Sequence, residues 1–281
     1  MRIANLSGRL SLIVDGLAVD VEQASGGRFA ADPQAVYDHW AEFRGWVDQA
    51  ADLPEGTAFA AADLGAPAPG PRQVVAAGLN YRDHAAEAGL ALPDEMPPVF
   101  TKFVSSITGP VSEVELPRGG HTDWEVELVL VIGTRAHRVS KDAAWSHVAG
   151  LTVGQDLSER IIQLAGPAPQ FSLGKSYPGF APMGPWLVTP DEFEDPDDLE
   201  LQCSVNGEQM QKSRTSELIF PVPELIARLS AVLPLLPGDV VFTGTPAGVG
   251  LGRSPQKWLA AGDELVTSIE GIGELRQRFT D

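Results

Sequence analysis

Glu125 and Glu127 flank a valine in the run Trp124-Glu125-Val126-Glu127-Leu128-Val129-Leu130-Val131-Ile132. In a strand, residues two apart share a face. Both carboxylates then point one way, while Trp124, Val126, Leu128 and Leu130 form an apolar opposite face. Two adjacent carboxylates in so apolar a strand are costly to desolvate unless something neutralises them. A divalent cation does so for both at once. Asp156, at the polar end of the apolar run 150–154, offers a third oxygen. Three carboxylates leave open positions on an oxygen-loving ion such as Mg²⁺ or Mn²⁺. Taken alone, Glu-x-Glu also fits a solvated strand face.

Three further segments carry candidate chemistry. In NYRDHAAEAG (80–89), His84 and Glu87 sit three apart, on one face of a helical turn. A carboxylate there orients an imidazole and raises its basicity, as a general base for water activation requires. The same pair also reads as a surface histidine beside a helix glutamate. The proline-spaced LPDEMPPVF that follows suits a mobile cover. In DLSERIIQ (156–163), a helix starting at Asp156 presents Arg160 and Gln163 on neighbouring turns. Arg160 then reads either as a clamp for a substrate carboxylate or as a surface salt bridge, for instance to Glu159. Lys175 in LGKS and Thr245 in TGTP fall on turns beside strands, where binding residues often sit. Cys203, within a strand pattern, reads as a small core residue. The GKS at 174–176 is no phosphate loop, because the required first glycine falls on Pro169. No nucleophile elbow or zinc helix appears, and the five histidines show no metal spacing.

The elements that must position these groups are mostly short strands. QVVAAG (73–78), EVELVLVIG (125–133), AGLTVGQD (149–156), ELQCSVNG (200–207), GDVVFTG (238–244) and DELVTSIEG (263–271) end at turn residues. Helical spacing appears in 35–51, in 140–148 and from Pro223 to Leu233. A hairpin is signalled around Asp15-Gly16, and LGAPAPGPR (64–72) reads as a linker. The class is α+β, mainly β. A boundary near residue 70 separates a small N-terminal α+β domain (1–70) from a larger body (71–281).

Composition narrows the partners. The 281 residues carry 20 basic and 38 acidic side chains, a net charge of −18. So acidic a surface repels phosphate backbones and anionic lipid, which argues against nucleic acid and membranes. The single cysteine excludes a disulfide framework and a cysteine zinc site. No apolar run approaches the ~18 residues of a membrane helix. The first residues lack the apolar stretch of a signal peptide, so a cytoplasmic protein is expected.

Together, GLNYRDHAAE, FTKFVSSITGP, DWEVELVLVIG, QDLSERIIQ, LGKS, PMGPWLVT, VNGEQMQ and PGDVVFTGTPAGVG resemble the fumarylacetoacetate hydrolase family. The resemblance implies a mixed β-roll or β-sandwich body, a homodimer, and one Mg²⁺ or Mn²⁺ per subunit. It implies that Glu125, Glu127 and Asp156 are metal ligands and that His84 and Glu87 activate water on a mobile lid. By the same resemblance Lys175, Arg160, Gln163 and Thr245 contact substrate. Gln155 replaces the family's usual asparagine, Glu159 stands where a small residue is common, and Ile161 replaces an acidic one. The implied activity is metal-dependent hydrolysis of a C–C bond in a 2,4-dioxo acid, giving pyruvate and a carboxylic acid. Oxaloacetate decarboxylation, hydroxymuconate-type isomerisation or tautomerisation, and a catalytically silent oxo-acid-binding protein are the alternatives.

Overall fold

The structure, a computed structural model, describes residues 1–50, 53–87, 89 and 91–281. Two turns, Ser7-Gly8 and Asp15-Gly16, have positive φ at both residues, the geometry of two-residue hairpins. They join β1 (Arg2–Leu6), β2 (Arg9–Val14) and β3 (Leu17–Asp20). The helical spacing at 35–51 becomes a 3₁₀ turn, Ala35–His39, followed by α1 (Trp40–Gln49); Ala51 lies outside the described residues. The spacing at 140–148 gives one α-turn, Lys141–Ala144, running into a 3₁₀ turn.

The remaining elements follow in chain order. They are β4 (Val74–Ala77), α2 (Arg82–Glu87), β5 (Val99–Thr101), β6 (Val111–Glu115), β7 (Val126–Ile132) and β8 (Val148–Gln155). Next come α3 (Arg160–Gln163), α4 (Phe171–Gly174), β9 (Ala181–Val188), β10 (Glu200–Val205) and β11 (Glu208–Arg214). Last are α5 (Val222–Val232), β12 (Val240–Phe242), β13 (Glu264–Ile269) and β14 (Gly273–Thr280). All six strands read from the sequence form. Five others, β5, β6, β9, β11 and β14, carry weaker patterns: β9 holds two prolines and β11 reads EQMQKSR.

The larger sheet has 11 strands, the main path being β3-β2-β1-β9-β8-β7-β12-β4-β5; a five-stranded sheet runs β11-β10-β13-β14-β6. Apolar residues from both sheets, including Val126, Leu128 and Leu130 of β7 and Leu201 and Leu265 opposite, fill one core. A second core lies on the other face of the larger sheet, where Val129, Val131 and Phe242 meet Phe29, Tyr37, Trp40 and Phe43. The N-terminal strands pair directly with the rest of the sheet, β1 antiparallel to β9. Residues 1–70 therefore share a core with the larger body. The fold is mixed α+β, mainly β, and no helix among the described residues is long and apolar enough to cross a membrane.

Candidate active site

β7 is central, between β8 and β12, and buried along its whole length. That removes the solvated-face reading of Glu-x-Glu. Trp124, Val126, Leu128 and Leu130 pack into the core between the sheets, as the alternation requires. Glu127 therefore faces the opposite side, with Val129 and Val131. β8 pairs antiparallel with β7, and Asp156, just beyond its end, donates its N–H to the Glu125 carbonyl at 2.9 Å. One carboxylate oxygen from each of Glu125, Glu127 and Asp156 lies within 4.8 Å of the others, and all three residues are buried.

The triad sits in a lattice of cations. Lys175 Nζ donates to Glu125 Oε2 at 2.8 Å, Asp156 Oδ2 at 2.6 Å and Ser158 Oγ at 2.8 Å. Lys102, fully buried, bonds Asp156 and the Lys175 carbonyl. Arg160 reaches Glu125 Oε1 at 2.8 Å, and holds Asp123 Oδ2 through Nε at 2.9 Å and through its second terminal nitrogen at 2.7 Å. Burial pushes the Glu125 carboxyl up, but Lys175, Arg160 and His84 outweigh it and bring it down to about 2. Burial lowers the Lys175 ammonium, yet Asp156 and Glu125 leave it above its ordinary value. Glu127 differs. Among the described residues its one hydrogen bond is from the Gly244 N–H, at 2.8 Å to Oε2, at a glycine with φ of 102°. Burial, then the charges of Asp156 and Glu125, push its carboxyl well above the ordinary range.

This arrangement fits a divalent cation. With Arg160 balanced by Asp123, three carboxylates face two lysines, and the uncompensated charge rests on Glu127. An isolated buried carboxylate is expensive unless it is neutralised or coordinated. Each carboxylate oxygen has a spare lone pair beyond the hydrogen bonds described. Glu125, Glu127 and Asp156 are the residues that would hold Mg²⁺ or Mn²⁺.

The other expected residues come to the same place. A pocket of about 350 Å³ is lined by His84, Glu87, Glu125, Glu127, Arg160, Gln163, Lys175 and Thr245, with apolar side chains completing its wall. His84 Nδ1 lies 3.3 Å from Glu87 Oε2 on α2, as the spacing predicts. The Gly248 N–H holds the Glu87 carboxylate from below, at 3.1 and 3.2 Å. Gln163 spends its carbonyl on Arg160, at 2.8 Å, leaving its amide N–H groups available. Thr245 donates its hydroxyl proton to the Val126 carbonyl at 2.9 Å and accepts from Gln211 Nε2 at 2.8 Å.

Local geometry differs from expectation at two points. No helix starts at Asp156: Ser158–Glu159 pair as a short strand with Thr122–Asp123, and α3 begins only at Arg160. Arg160 is also no open clamp, since Asp123, Glu125 and Gln163 occupy its guanidinium. Asp123 and Lys102 are the residues that sequence reasoning missed. Asp123 is two positions before Glu125, so extending the same alternation would have reached it. The departures from the family pattern have structural roles. Gln155 spans from the Glu125 N–H to Thr267 Oγ1 in the second sheet, each at 2.9 Å. Glu159 caps α3 through the N–H groups of Ile161 and Ile162. Cys203 is buried in β10.

The model described as fumarylacetoacetate (FAA) hydrolase C-terminal matches residues 73–280. The chain belongs to the fumarylacetoacetate hydrolase family. It is 48% identical over 219 residues (77% of this chain, 76% of the relative) to 2,4-didehydro-3-deoxy-L-rhamnonate hydrolase of Sphingomonas sp. strain SKA58. It is 44% identical over 209 residues (74% of this chain, 66% of the relative) to human mitochondrial oxaloacetate tautomerase FAHD2A. Among solved structures, a provisionally assigned HpcE protein from Mycobacterium smegmatis superposes with a TM-score of 0.95 at 58% identity, covering 100% of this chain and 99% of that one. Maleylpyruvate hydrolase from Sphingobium sp. SYK-6, solved with manganese(II) and pyruvate, gives 0.81 at 26% identity, covering 100% and 99%.

Proposed function

We propose that this family member is a divalent-metal-dependent hydrolase that cleaves a C–C bond of a 2,4-dioxo acid of the acylpyruvate type, releasing pyruvate and a carboxylic acid. The observation that carries the reading is one pocket lined both by the His84–Glu87 pair and by Glu125 and Glu127, whose buried triad Asp156 completes. The substrate named for the Sphingomonas relative is itself a 2,4-dioxo acid, which favours hydrolysis. When bound, Mg²⁺ or Mn²⁺ supplies a Lewis acid for the 2-oxo acid end and an electron sink for the bond that breaks. Lys175 and Lys102 hold Asp156 in place, and Lys175 holds Glu125. The Gln163 amide donates to substrate oxygen. His84, oriented by Glu87, takes a proton from water. The water oxygen bonds to C4, the C3–C4 bond breaks, and the proton passes to C3.

The second reading, oxaloacetate tautomerisation, rests on the human relative. It needs only proton movement at C3 and no attack by water. We further propose a homodimer, supported by exposed apolar residues beside the pocket mouth: Ile161 and Ile162 on α3, Leu164 just after it, and Leu173 on α4. The test follows the enol absorbance of acetylpyruvate together with pyruvate release, with Mn²⁺ or Mg²⁺ and with EDTA. Metal-dependent loss of absorbance with matching pyruvate is expected, and His84→Ala should abolish it while Mn²⁺ still binds. Absence of pyruvate, alongside rapid enol–keto exchange of oxaloacetate, would replace hydrolysis with the tautomerase reading.

A further inference from the structure

The cations around the pocket have few donors to spare. All three Lys175 N–H groups are taken, by Glu125, Asp156 and Ser158. So are those of Lys102, by Asp156 and the carbonyls of Leu157 and Lys175. Arg160 has five N–H groups, and Asp123, Glu125 and Gln163 engage four. His84 is a cation only when protonated, and its partner is then Glu87. Among the described residues, the rest of the wall is chiefly apolar, with Phe100, Leu164, Phe171, Val249 and Leu251 prominent in it. Glu87, the remaining ionisable side chain of the wall outside the triad, is a carboxylate and offers no counter-charge to another.

We infer that the site selects oxo acids carrying a single carboxylate, whose far end is uncharged, and discriminates against dicarboxylates. This rests on the proposed 2,4-dioxo acid reading and names the substrate class within it. One carboxylate has partners: the bound cation, the Gln163 amide and the last Arg160 N–H. A second carboxylate is desolvated against Phe171 and Leu251, or approaches Glu87, and neither supplies a counter-charge. An unpaired charge in such surroundings loses its hydration without replacement.

The test separates binding from turnover. Calorimetry on the Mn²⁺-loaded protein compares 2-oxohexanoate with 2-oxoglutarate, ligands of six and five carbons in which the methyl of the first stands where a terminal carboxylate oxygen of the second would. The first should bind at least about tenfold more tightly. In turnover, kcat/KM for acetylpyruvate should exceed that for fumarylpyruvate by about 100-fold. Leu164→Arg, at a half-exposed position on the wall, should narrow the calorimetric gap by bringing a guanidinium to the far end. Equal or tighter binding of 2-oxoglutarate by the parent overturns the inference, whatever the protein hydrolyses. If acetylpyruvate is inert but 2-oxohexanoate is preferred, the hydrolase reading falls and the selectivity stands.

Discussion

Replacing Glu127 with glutamine isolates the one carboxylate of the triad that no cationic side chain reaches. Burial and the charges of Asp156 and Glu125 raise its folded pKa above the ordinary 4.5. Below that ordinary value the group is protonated in both states and costs nothing. As pH rises past it, the unfolded chain ionises first, so the stability of the metal-free protein falls until the raised folded value is passed. Glutamine keeps the shape and an acceptor for the Gly244 N–H, and removes the charge. In EDTA at pH 7, Glu127→Gln should be more stable than the parent by about 1–2 kcal/mol, the usual relief at a functional site. At roughly 2 °C per kcal/mol for a chain of this size, Tm rises by about 2–4 °C. With Mn²⁺ at about 100 times its Kd, the parent gains about 2.7 kcal/mol and the variant little, so the order reverses. Thermal melts with EDTA and with Mn²⁺ read both signs. A variant less stable than the parent in EDTA, or one that keeps the full Mn²⁺ shift, refutes Glu127 as the uncompensated ligand.

Three further outcomes follow from the same geometry. Because Glu127 holds its proton more tightly than an ordinary carboxylate, Mn²⁺ affinity should rise with pH through the range above 4.5. Calorimetry in buffers of different ionisation enthalpy should then find proton release on binding. A Cβ at Gly252 would come 2.6 Å from Glu87 Oε1, so Gly252→Ala should dislodge Glu87. We expect kcat to fall about 10–100-fold with the Mn²⁺-induced Tm shift unchanged; loss of both together would place Gly252 in the fold rather than beneath α2. Light scattering should give a dimer mass, and Ile161→Glu combined with Leu173→Glu should give a monomer.

What the sequence revealed of the site follows its range in the chain. Glu125 with Glu127, and His84 with Glu87, are two or three residues apart, where backbone periodicity alone places both side chains on one side. Gly-rich turns and Val/Ile-rich strands were legible for the same reason. Asp123 shares the alternation of Glu125 and Glu127, but its pairing with Arg160, 37 residues on, does not show in it, and the partner of Lys102 lies 54 residues away. The elements that bring them in, the two-residue pairing of Ser158–Glu159 with Thr122–Asp123 and the end of the three-residue β5, are too short to have a period. The joining of residues 1–70 to the larger sheet was hidden likewise, since β1 finds β9 across more than half the chain.

That distribution bears on how the site works. Local spacing supplies the Glu125–Glu127 and His84–Glu87 pairs, whereas long-range contacts supply the groups that fix their charge and aim. Asp123 accepts the N–H groups of Gly250 at 2.6 Å and Leu251 at 2.9 Å while gripping Arg160. The same loop begins with Gly248, whose N–H holds Glu87. One carboxylate thus ties the arginine beside the triad to the loop beneath the His84–Glu87 pair. Neutralising Asp123 should therefore disturb two places at once. Arg160, freed from one partner, would shift its charge onto Glu125 and weaken Mn²⁺ binding, and the loop would lose its anchor under Glu87. A surface ion pair in this position would do neither, because solvent would replace its partner on each side.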